Sequence, residues 1–398
     1  MSGLNQTPSG ERTLIAFFGR RNAGKSSLVN AVTGQEMSVV SNVRGTTTDP
    51  VRKAMELLPL GPVMIVDTPG LDDEGELGSL RVKRALQVMN RADIAVLVTS
   101  VDLPEDPIER TLIGQFAQRD IPWIRAVNKA DLLDDVPGET ENTIYVSAKT
   151  GLNVANLKDK LAKTARAGGP ERPIVSDLVS PGDALVLVVP IDKAAPKGRL
   201  ILPQQMTIRD ALDAGALVTV ARDTELQAAL AGLRTPPKLV VTDSQVFLKV
   251  SAIVPQEVPL TSFSILMARH KGTLWQSVEG ARALRSLRDG DRILISEGCT
   301  HHRQCGDIGS QKLPDWIRAF SGASPEIELT SGQTFPEDVS GYKVVIHCGG
   351  CMLTEREMRF RARQCREQGV PLTNYGTAIA YMNGILDRSL KPVQPGEK

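Results

Sequence analysis

Apolar runs alternate with amphipathic segments along the first 165 residues of the chain. Continuous apolar strands separated by helices are typical of a parallel sheet that is covered on both faces. The pattern therefore predicts an α/β domain with a mostly parallel sheet. Its predicted strands lie at residues 13–18, 63–66, 94–100, 123–127 and 144–146.

Glycine and proline interrupt this pattern twice, and such interruptions indicate domain boundaries. The first break lies at residues 167–173 and the second near residues 255–259. Between them the sequence predicts a small α/β unit that contains no cysteine and no histidine. We therefore predict three domains, at residues 1–168, 174–258 and 259–398.

The second and third segments also read as strands and helices. In the middle segment the predicted strands are 184–189 and 238–241, and the predicted helices lie near 208–214 and 225–233. In the last segment the predicted strands are 263–267, 292–296, 343–346 and 371–374.

Composition and charge narrow the class of protein. Hydrophobic residues make up 41% and charged residues 23%, as in ordinary globular proteins. A net charge of +1 with 4% aromatic residues gives no reason to expect nucleic-acid binding. Residues 1–11 are polar, and the longest apolar run, 184–191, is far shorter than the about 20 residues of a membrane helix. We expect a cytoplasmic protein that binds neither nucleic acid nor a membrane.

A phosphate-binding loop follows the first predicted strand. Residues 19–26 read Gly-Arg-Arg-Asn-Ala-Gly-Lys-Ser and precede a helical segment. In such a loop, glycines let backbone N–H groups approach the phosphates, Lys25 adds positive charge, and the Ser26 hydroxyl can bind Mg²⁺. The predicted phosphate-binding residues are Gly19, Asn22, Ala23, Gly24, Lys25, Ser26 and Ser27.

Three later strand ends predict that the base is guanine. Residues 67–70 read Asp-Thr-Pro-Gly, with Asp67 placed to hold Mg²⁺ through water and Gly70 to sense the terminal phosphate. Residues 128–131 read Asn-Lys-Ala-Asp, and an ionised Asp131 can accept hydrogen bonds from the guanine N1–H and 2-amino groups, a pair that adenine lacks. The predicted base-binding residues are Asn128, Lys129, Asp131, Ser147, Ala148 and Lys149.

Residues 45–49, Gly-Thr-Thr-Thr-Asp, resemble the first switch of the TrmE/Era-like GTPases. The resemblance makes Thr47 the Mg²⁺ threonine, with Thr46 as the alternative. It also implies that Asn22 helps bind a K⁺ ion in place of an arginine finger, although a loop asparagine can simply stabilise a tight turn. Leu71 stands where many signalling GTPases carry a water-positioning glutamine, so we expect slow, potassium-activated hydrolysis. The candidate catalytic residues are Lys25, Asn22, Thr47, Asp67 and Gly70, and the Mg²⁺ ligands are Ser26, Thr47 and Asp67.

The cysteines and histidines all lie beyond residue 269, and most fall in two clusters at residues 299–302 and 347–351. Five cysteines at such spacing fit reduced thiols that bind a metal better than they fit disulfides. A structural zinc would take a closed set of four ligands. An iron–sulfur cluster would take Cys299, Cys348 and Cys351 and leave one iron for a weaker ligand.

Two features favour iron over zinc. Both clusters follow predicted strands of a parallel sheet, whose carboxyl ends meet at one crevice, and a zinc ribbon would use hairpins instead. Three thiolates with spare imidazoles also suit an open coordination position. The predicted ligands are Cys299, Cys348, Cys351, His301 and His347, and the fourth position stays open among His301, His347 and Asp307. Cys365 lies inside a predicted helix and is expected to pack in the core.

The whole chain resembles the FeFe-hydrogenase maturation GTPases of the HydF family, on its GTPase motifs, its cysteine-free middle segment and its Cys-x-His…His-Cys-x-x-Cys pattern. The resemblance implies a P-loop GTPase domain, a small α/β dimerisation domain and a C-terminal α/β metal-cluster domain. It implies that Cys299, Cys348 and Cys351 bind a 4Fe-4S cluster that holds a di-iron precursor as cargo for apo-FeFe-hydrogenase. It further implies GTP/GDP, Mg²⁺ and K⁺ as ligands, two radical-SAM maturases as partners, and self-association as a homodimer or a tetramer.

Nucleotide state can influence a distant cluster only if the GTP and GDP forms bind partners or conformers with different affinities. GTP hydrolysis is therefore expected to gate partner binding. One alternative is a GTPase with a structural zinc domain that acts in ribosome or RNA assembly. Another is a GTP-dependent metal insertase or storage protein for a different metalloenzyme.

Overall fold

The computed structural model describes residues 9–35, 50–70, 76–167, 172–191, 200–298, 308–332 and 335–394. The chain divides into two compact units, Met1–Pro170 and Glu171–Lys398. In the described part of the chain, no helix combines the length and the apolar character needed to cross a membrane.

The first unit is built on one six-stranded sheet. Its strands are β1 (Thr13–Gly19), β2 (Val51–Leu57), β3 (Gly61–Asp67), β4 (Ile94–Ser100), β5 (Trp123–Asn128) and β6 (Thr143–Tyr145). Its helices are α1 (Lys25–Thr33), α2 (Glu76–Met89), α3 (Pro107–Gln118) and α4 (Val154–Ala167). The strand order is β2-β3-β1-β4-β5-β6, with β2 antiparallel to β3 and the other pairs parallel.

Both faces of this sheet are buried, which explains why its central strands read as continuous apolar runs. Neighbouring residues Phe17 and Phe18 of β1 point to opposite faces and belong to separate apolar layers. Phe17 packs in the layer that contains Leu28 of α1. Phe18 packs against Phe116 of α3, with ring centroids 5.3 Å apart. The five predicted strands of this domain are confirmed, and the mostly parallel α/β architecture with them.

The second unit contains two four-stranded sheets. Its strands are β7 (Ala184–Val188), β8 (Leu217–Ala221), β9 (Leu239–Thr242), β10 (Leu260–Ser262), β11 (Arg292–Glu297), β12 (Glu326–Ser331), β13 (Val344–His347) and β14 (Leu372–Asn374). Its helices are α5 (Leu202–Asp213), α6 (Leu226–Ala231), α7 (Phe247–Ile253), α8 (Phe263–His270), α9 (Leu274–Ala281), α10 (Leu313–Ser321), α11 (Glu355–Glu367), α12 (Tyr375–Met382) and α13 (Leu386–Leu390). The strand orders are β10-β9-β7-β8 and β12-β11-β13-β14, and all pairs are parallel.

The predicted strand at residues 263–267 is wrong, because this segment forms helix α8. The Ser262 side chain accepts a hydrogen bond from the backbone N–H of Ile265 and caps the helix. Most of the segment is buried, including Leu266 and Met267. A short, fully buried apolar run has the same composition in a strand and in a core helix, so periodicity could not separate them.

The predicted boundary at residue 258 falls inside the chain that builds the first sheet of this unit. Strand β10 lies beyond it and pairs with β9. The same apolar core extends from Ile174 to Val393 and includes Leu260 and Leu390. The segments on either side of residue 258 therefore share one core, and the three domain limits stay predictions.

Candidate nucleotide site and metal centre

The phosphate loop joins β1 to α1 as the sequence predicts. Gly24 is the N-cap of α1 and has a left-handed backbone with φ of 81°. Lys25 begins the helix, and its Nζ lies 2.5 Å from Asp67 Oδ1 at the end of neighbouring β3. The Ser26 hydroxyl donates to Asp67 Oδ2 over 2.7 Å. The structure thus brings together three residues predicted to serve the phosphates and Mg²⁺.

Asn128 connects the phosphate loop to the base-binding motifs. Its Nδ2 donates to the carbonyl of Ala23 over 3.1 Å, and its Oδ1 accepts from the backbone N–H of Ala148 over 3.0 Å. Asn128 is 2% exposed, so these hydrogen bonds are shielded from water. Three predicted segments that are distant in sequence are therefore held together by one buried amide.

The base-binding carboxylate is also positioned by its neighbours. The Ser147 hydroxyl donates to Asp131 Oδ1 over 2.5 Å, and the Thr150 N–H donates to the Ser147 hydroxyl over 3.2 Å. Lys129 Nζ forms an ion pair with Asp102 at 2.8 Å. Hydrogen bonds from Lys129 and then from Ser100 hold the pKa of Asp102 below its ordinary value. Asp131 is fixed by a hydroxyl and keeps a second oxygen for the base.

The other predicted residues of the nucleotide site have different outcomes. Asn22 has a left-handed backbone with φ of 64°, which fits the reading of a tight-turn asparagine, and its K⁺ role stays a prediction. Thr47, its alternative Thr46, and Leu71 lie outside the described residues. Gly70 follows the buried residues Asp67, Thr68 and Pro69 at and after the end of β3. Lys149 is exposed beside the base motif.

Arg20 of the phosphate loop is a residue whose contacts sequence reasoning did not anticipate. Its Nε lies 3.0 Å from Glu109 and its Nη1 3.3 Å from Asp106, both near the start of α3. Glu109 is 3% exposed and also lies 3.5 Å from Arg125. These ion pairs tie the loop to α3, and no sequence motif signals them.

Gly24→Ala should disrupt nucleotide binding. A Cβ at this position would lie 2.2 Å from Asn128 Nδ2, so the amide that joins the three motifs must move. We expect GTP affinity to fall by at least about tenfold, the equivalent of one lost hydrogen bond to a charged group. Isothermal titration with GTP measures this change.

Gly34→Ala is the matched control for that substitution. Gly34 also has a positive φ, of 66°, but an added Cβ would meet nothing within 4 Å. It should cost only the backbone strain of about 1–2 kcal/mol and leave GTP affinity unchanged. Equal loss of GTP affinity in both variants would contradict the role given to Asn128.

His347, Cys348 and Cys351, the described residues among the predicted metal ligands, lie near the point where the strand order of the second sheet of unit two reverses. From β11 the chain leads to β12 on one side, and from β13 it leads to β14 on the other. β11 and β13 are adjacent and parallel, with Ser296 opposite His347. Ligands of open parallel sheets bind at such a switch point, beyond the carboxyl ends of the strands. Cys348 directly follows β13, and the segment from residue 299 follows β11.

The Cys348 sulfur faces the end of β11. It accepts a hydrogen bond from the Gly298 N–H over 3.0 Å and a weaker one from the Gly350 N–H over 3.4 Å. Backbone N–H groups directed at a sulfur stabilise a thiolate and tune a bound cluster. Gly298 directly precedes Cys299 in the sequence, and residues 299–307, which contain Cys299, His301 and Asp307, lie outside the described residues.

Cys351 is a partly buried thiol close to Cys348. Burial and then the charge of a Cys348 thiolate raise the pKa of Cys351 to about 11. Two adjacent thiolates are unfavourable without a cation, and a bound metal supplies the charge that stabilises both. Among the described residues, no group of three or more His, Cys, Asp or Glu side chains is arranged to hold a metal ion. Cys299 lies outside them.

His347 is engaged through both ring nitrogens. Arg361 Nη1 lies 2.8 Å from His347 Nε2, and because a guanidinium only donates, Nε2 is the acceptor. The proton is therefore on Nδ1, which donates to the Cys348 carbonyl over 2.9 Å. His347 is fully buried, so it could bind iron only after Arg361 gives up Nε2. Its assignment as a ligand stays a prediction.

Arg361 is a second functional residue that sequence reasoning missed. It is fully buried, and its Nε donates to Glu357 over 2.8 Å. Its other nitrogens donate to the Ser296 hydroxyl and the Gly332 carbonyl, each over 3.3 Å. Arg361 thus joins the ends of β11, β12 and β13. The i,i+4 pairing with Glu357 was the available signal, but such pairs are usually surface features.

Cys365 and His270 are the other cysteine and histidine among the described residues, and Cys365 is buried as predicted. Cys365 lies within α11, fully buried in an apolar layer with Leu294 and Val345, and burial raises its pKa to about 12. His270 contacts the backbone carbonyl of Arg172. Neither lies in the cysteine segments. The sulfur donors that remain, Cys348 and Cys351, fit either an iron–sulfur cluster or zinc.

Three family models match the chain in succession. Residues 14–129 match the model described as 50S ribosome-binding GTPase. Residues 174–272 match the Hydrogen maturase F dimerization domain, and residues 275–392 match the Hydrogen maturase F tetramerization domain. The two hydrogen maturase F matches together cover more than half of the chain and include both cysteine segments.

Curated relatives are similar to the first domain. The tRNA modification GTPase MnmE of Alkalilimnicola ehrlichii is 37% identical over 153 residues, which is 37% of this chain and 33% of the relative. MnmE of Francisella philomiragia is 33% identical over 159 residues, which is 38% of this chain and 35% of the relative. The chain thus spans about a third of the length of these relatives.

Two solved structures are similar to part of the chain at low identity. Era of Aquifex aeolicus is 19% identical, with 52% of this chain and 92% of that chain covered and a TM-score of 0.34. The G domain of the T. maritima iron transporter FeoB is 22% identical, with 39% and 100% covered and a TM-score of 0.29. With its GTPase domain followed by both hydrogen maturase F domains, the chain belongs to the hydrogen maturase F (HydF) family.

Proposed function

We propose that this protein is a GTP-hydrolysing scaffold that holds a 4Fe-4S cluster and a di-iron precursor and delivers the precursor to apo-FeFe-hydrogenase. The observation that carries the proposal is the approach of Gly298 to the Cys348 sulfur, at the switch point of a sheet within the matched tetramerization domain. It supports a common site for the predicted cysteine segments, because Gly298 directly precedes Cys299 in the sequence. Cys299, Cys348 and Cys351 are the proposed thiolate ligands, with the fourth position open among His301, His347 and Asp307.

A protein-bound iron–sulfur cluster would supply an iron with an exchangeable position, to which cargo can bind. This chain's own residues hold the thiolates and shape the loop around them. The backbone N–H groups of Gly298 and Gly350 stabilise the negative charge on Cys348. The buried Arg361 fixes the strand ends from which the cysteine segments start.

Nucleotide state is proposed to gate the binding of partners, which include two radical-SAM maturases and the hydrogenase. Asp67 is proposed to respond to the nucleotide. Lys25 and Ser26 both contact Asp67, and these contacts must rearrange when Mg²⁺ and a nucleotide bind. Hydrolysis is proposed to be slow and activated by K⁺ at Asn22. Thr47 is proposed as a further Mg²⁺ ligand.

Self-association follows from the matched dimerization and tetramerization domains. We propose strand β8 as part of the dimer surface. In the described residues β8 pairs only with β7 and forms the edge of its sheet, and Leu217 and Val220 on it are 65% and 46% exposed. An apolar edge strand offers unpaired backbone groups to a second copy.

Leu217→Lys should reduce self-association. A lysine charge on the apolar edge strand β8 opposes burial of that strand in an interface, and it also opposes pairing of the strand with a second copy. We expect the particle mass measured by light scattering to fall roughly twofold, as for loss of one two-fold interface. Leu248→Lys is the control, because Leu248 on α7 of the same matched domain is 58% exposed and does not belong to the edge strand. An unchanged mass for Leu217→Lys would exclude this edge.

The competing proposal is a GTPase with a structural zinc domain in ribosome or RNA assembly. The name of the first matched model gives it some support. The hydrogen maturase F matches behind the GTPase domain favour the scaffold.

The experiment that tests the proposed function is activation of apo-FeFe-hydrogenase by the purified, cluster-loaded protein. Wild type should restore hydrogen evolution. Lys25→Ala should retain iron but activate poorly over repeated rounds, because nucleotide no longer gates release. Full activation by Lys25→Ala would contradict gating, and no activation by wild type together with salt-dependent RNA binding would favour the assembly function.

A further inference from the structure

Glu109 is a buried carboxylate between two arginines of the first unit. It lies in the first turn of α3, and its side chain is 3% exposed. Arg20 of the phosphate loop donates from Nε to Glu109 Oε1 over 3.0 Å. Arg125 of β5 approaches the other oxygen, with Nη2 lying 3.5 Å from Oε2. One carboxylate therefore joins the phosphate loop to the strand that ends in Asn128.

Arg20 has further contacts with the same part of the chain. Its Nη1 donates to Asp106 over 3.3 Å, and its Nη2 donates to the Pro104 carbonyl over 2.5 Å. Asp106 is also the N-cap of α3, so its own position is fixed. These contacts all come from the start of α3 and the turn before it, and the Arg20 side chain is 13% exposed. The guanidinium is therefore held in place at the start of the phosphate loop.

The sheet holds the phosphate loop at both of its ends. At the start of the loop, Gly19 packs so closely on β4 that an added Cβ would lie 2.3 Å from the Val98 carbonyl oxygen. Near the end of the loop, Asn128 of β5 donates to the Ala23 carbonyl over 3.1 Å. Because Arg125 belongs to the same strand as Asn128, β5 contributes to the anchoring of both ends.

The ion pairs of Glu109 are better suited to fixing the loop than to stabilising the fold. Glu109 Oε2 is buried and has no hydrogen-bond partner among the described residues, so the hydration that it loses on folding is not replaced. A buried ion pair adds little to stability compared with well-packed apolar side chains. It does restrict the relative positions of the groups that it joins, here the phosphate loop, α3 and β5.

We propose that Glu109 and Arg20 are positioning residues for nucleotide binding, which hold the phosphate loop in its binding conformation before the nucleotide arrives. Such a loop binds phosphates through its backbone N–H groups, so its order before binding affects the affinity. When the loop is already ordered, the nucleotide does not have to offset the entropy of ordering it. The proposal rests on the GTPase part of the proposed function and not on the metal cluster.

The proposal separates binding from hydrolysis. The bound nucleotide itself keeps the loop ordered, so loss of the ion pair should weaken binding and leave the hydrolysis step nearly unchanged. The loop contacts the α- and β-phosphates, which GTP and GDP share. Both nucleotides should therefore lose affinity by the same factor.

The test measures dissociation constants of the full-length protein for GDP and for a non-hydrolysable GTP analogue, and the single-turnover rate of hydrolysis at saturating GTP. Glu109→Gln keeps the shape of the side chain and removes its charge. It should raise both dissociation constants roughly 3- to 10-fold, the range for one ordinary hydrogen bond, and leave the single-turnover rate within about twofold. Glu105→Gln is the matched control, because Glu105 is exposed in the turn before α3 and pairs with Arg110. It should change neither quantity.

Arg20→Met keeps the test decisive if Glu109→Gln does not fold. It should also weaken the binding of both nucleotides without slowing the single-turnover rate. The double variant should bind no more weakly than Arg20→Met alone, because both substitutions break the same pair. A purely structural role would instead lower the melting temperature and leave the dissociation constants of the folded protein unchanged.

Three results would overturn the proposal. The first is unchanged nucleotide affinity in folded Glu109→Gln and Arg20→Met. The second is tighter binding in Glu109→Gln, which would show that a released Arg20 binds the phosphates directly. The third is a slower single-turnover rate with unchanged affinity. Absence of nucleotide binding in wild type would overturn the GTPase function together with this inference, so the two failures are distinguishable.

Discussion

Asp131→Asn should change the nucleotide that the protein binds from GTP to xanthosine triphosphate. The carboxylate of Asp131 is held by Ser147 and can accept both the N1–H and the 2-amino hydrogen of guanine. An amide at this position donates from its nitrogen, which opposes the 2-amino group but matches the 2-oxo group of xanthine. We expect GTP affinity to fall roughly 100-fold or more, as for a site whose buried polar partner is lost. Titration with both nucleotides measures the exchange.

Asp134→Asn is the matched control for the change of base. Asp134 lies on the same loop, is exposed and has no predicted contact with the base. It should leave GTP affinity unchanged. If Asp131→Asn bound GTP as tightly as wild type, the assignment of guanine recognition to this carboxylate would be wrong.

Cys348→Ala should abolish cluster binding, the largest effect expected in the second unit. The substitution removes a sulfur that two backbone N–H groups already face. Backbone groups near this position cannot take the place of a thiolate as a ligand of a cubane cluster. We expect iron per chain to fall from about four toward zero after anaerobic reconstitution, with loss of visible absorbance. Cys351→Ala should behave in the same way.

Cys365→Ala separates cluster ligation from the general effect of losing a cysteine. Cys365 is fully buried among apolar side chains, and its raised pKa, about 12, keeps it a neutral thiol. Its removal should cost about 1–2 kcal/mol of stability, as for an ordinary small core deletion, and leave iron content intact. Equal iron loss in Cys348→Ala and Cys365→Ala would indicate unfolding and not loss of a ligand.

The sequence predicts the buried strands and the GTPase motifs well, for a physical reason. β1 and β4 are covered on both faces, and each motif sits at the end of such a strand. Edge strands β2, β8 and β12 were missed because their exposure alternates or is irregular, as the half-exposed pattern of Val51–Leu57 illustrates. Strand β10 was also missed, although it is buried, because it is only three residues long. Short apolar runs are equally ambiguous, which is why α8 was taken for a strand.

The sequence predicts sulfur ligands for the candidate metal centre but not the surroundings of Cys348 and Cys351. Their spacing indicates that these two cysteines act together, and the involvement of Cys299 stays a prediction. The spacing of residues in the sequence does not reveal the hydrogen bond from Arg361 to Nε2 of His347. That contact depends on how α11 packs against three strand ends.

The most direct measurement of the proposed scaffold is the iron, zinc and acid-labile sulfide content of anaerobically purified wild-type protein, with an EPR spectrum after reduction. The predicted result is about four irons and four sulfides per chain, with the signal of a reduced cubane. That signal should disappear in Cys348→Ala. One zinc per chain without sulfide, even when iron is supplied anaerobically, would contradict the cluster scaffold and favour the GTPase with a structural zinc domain.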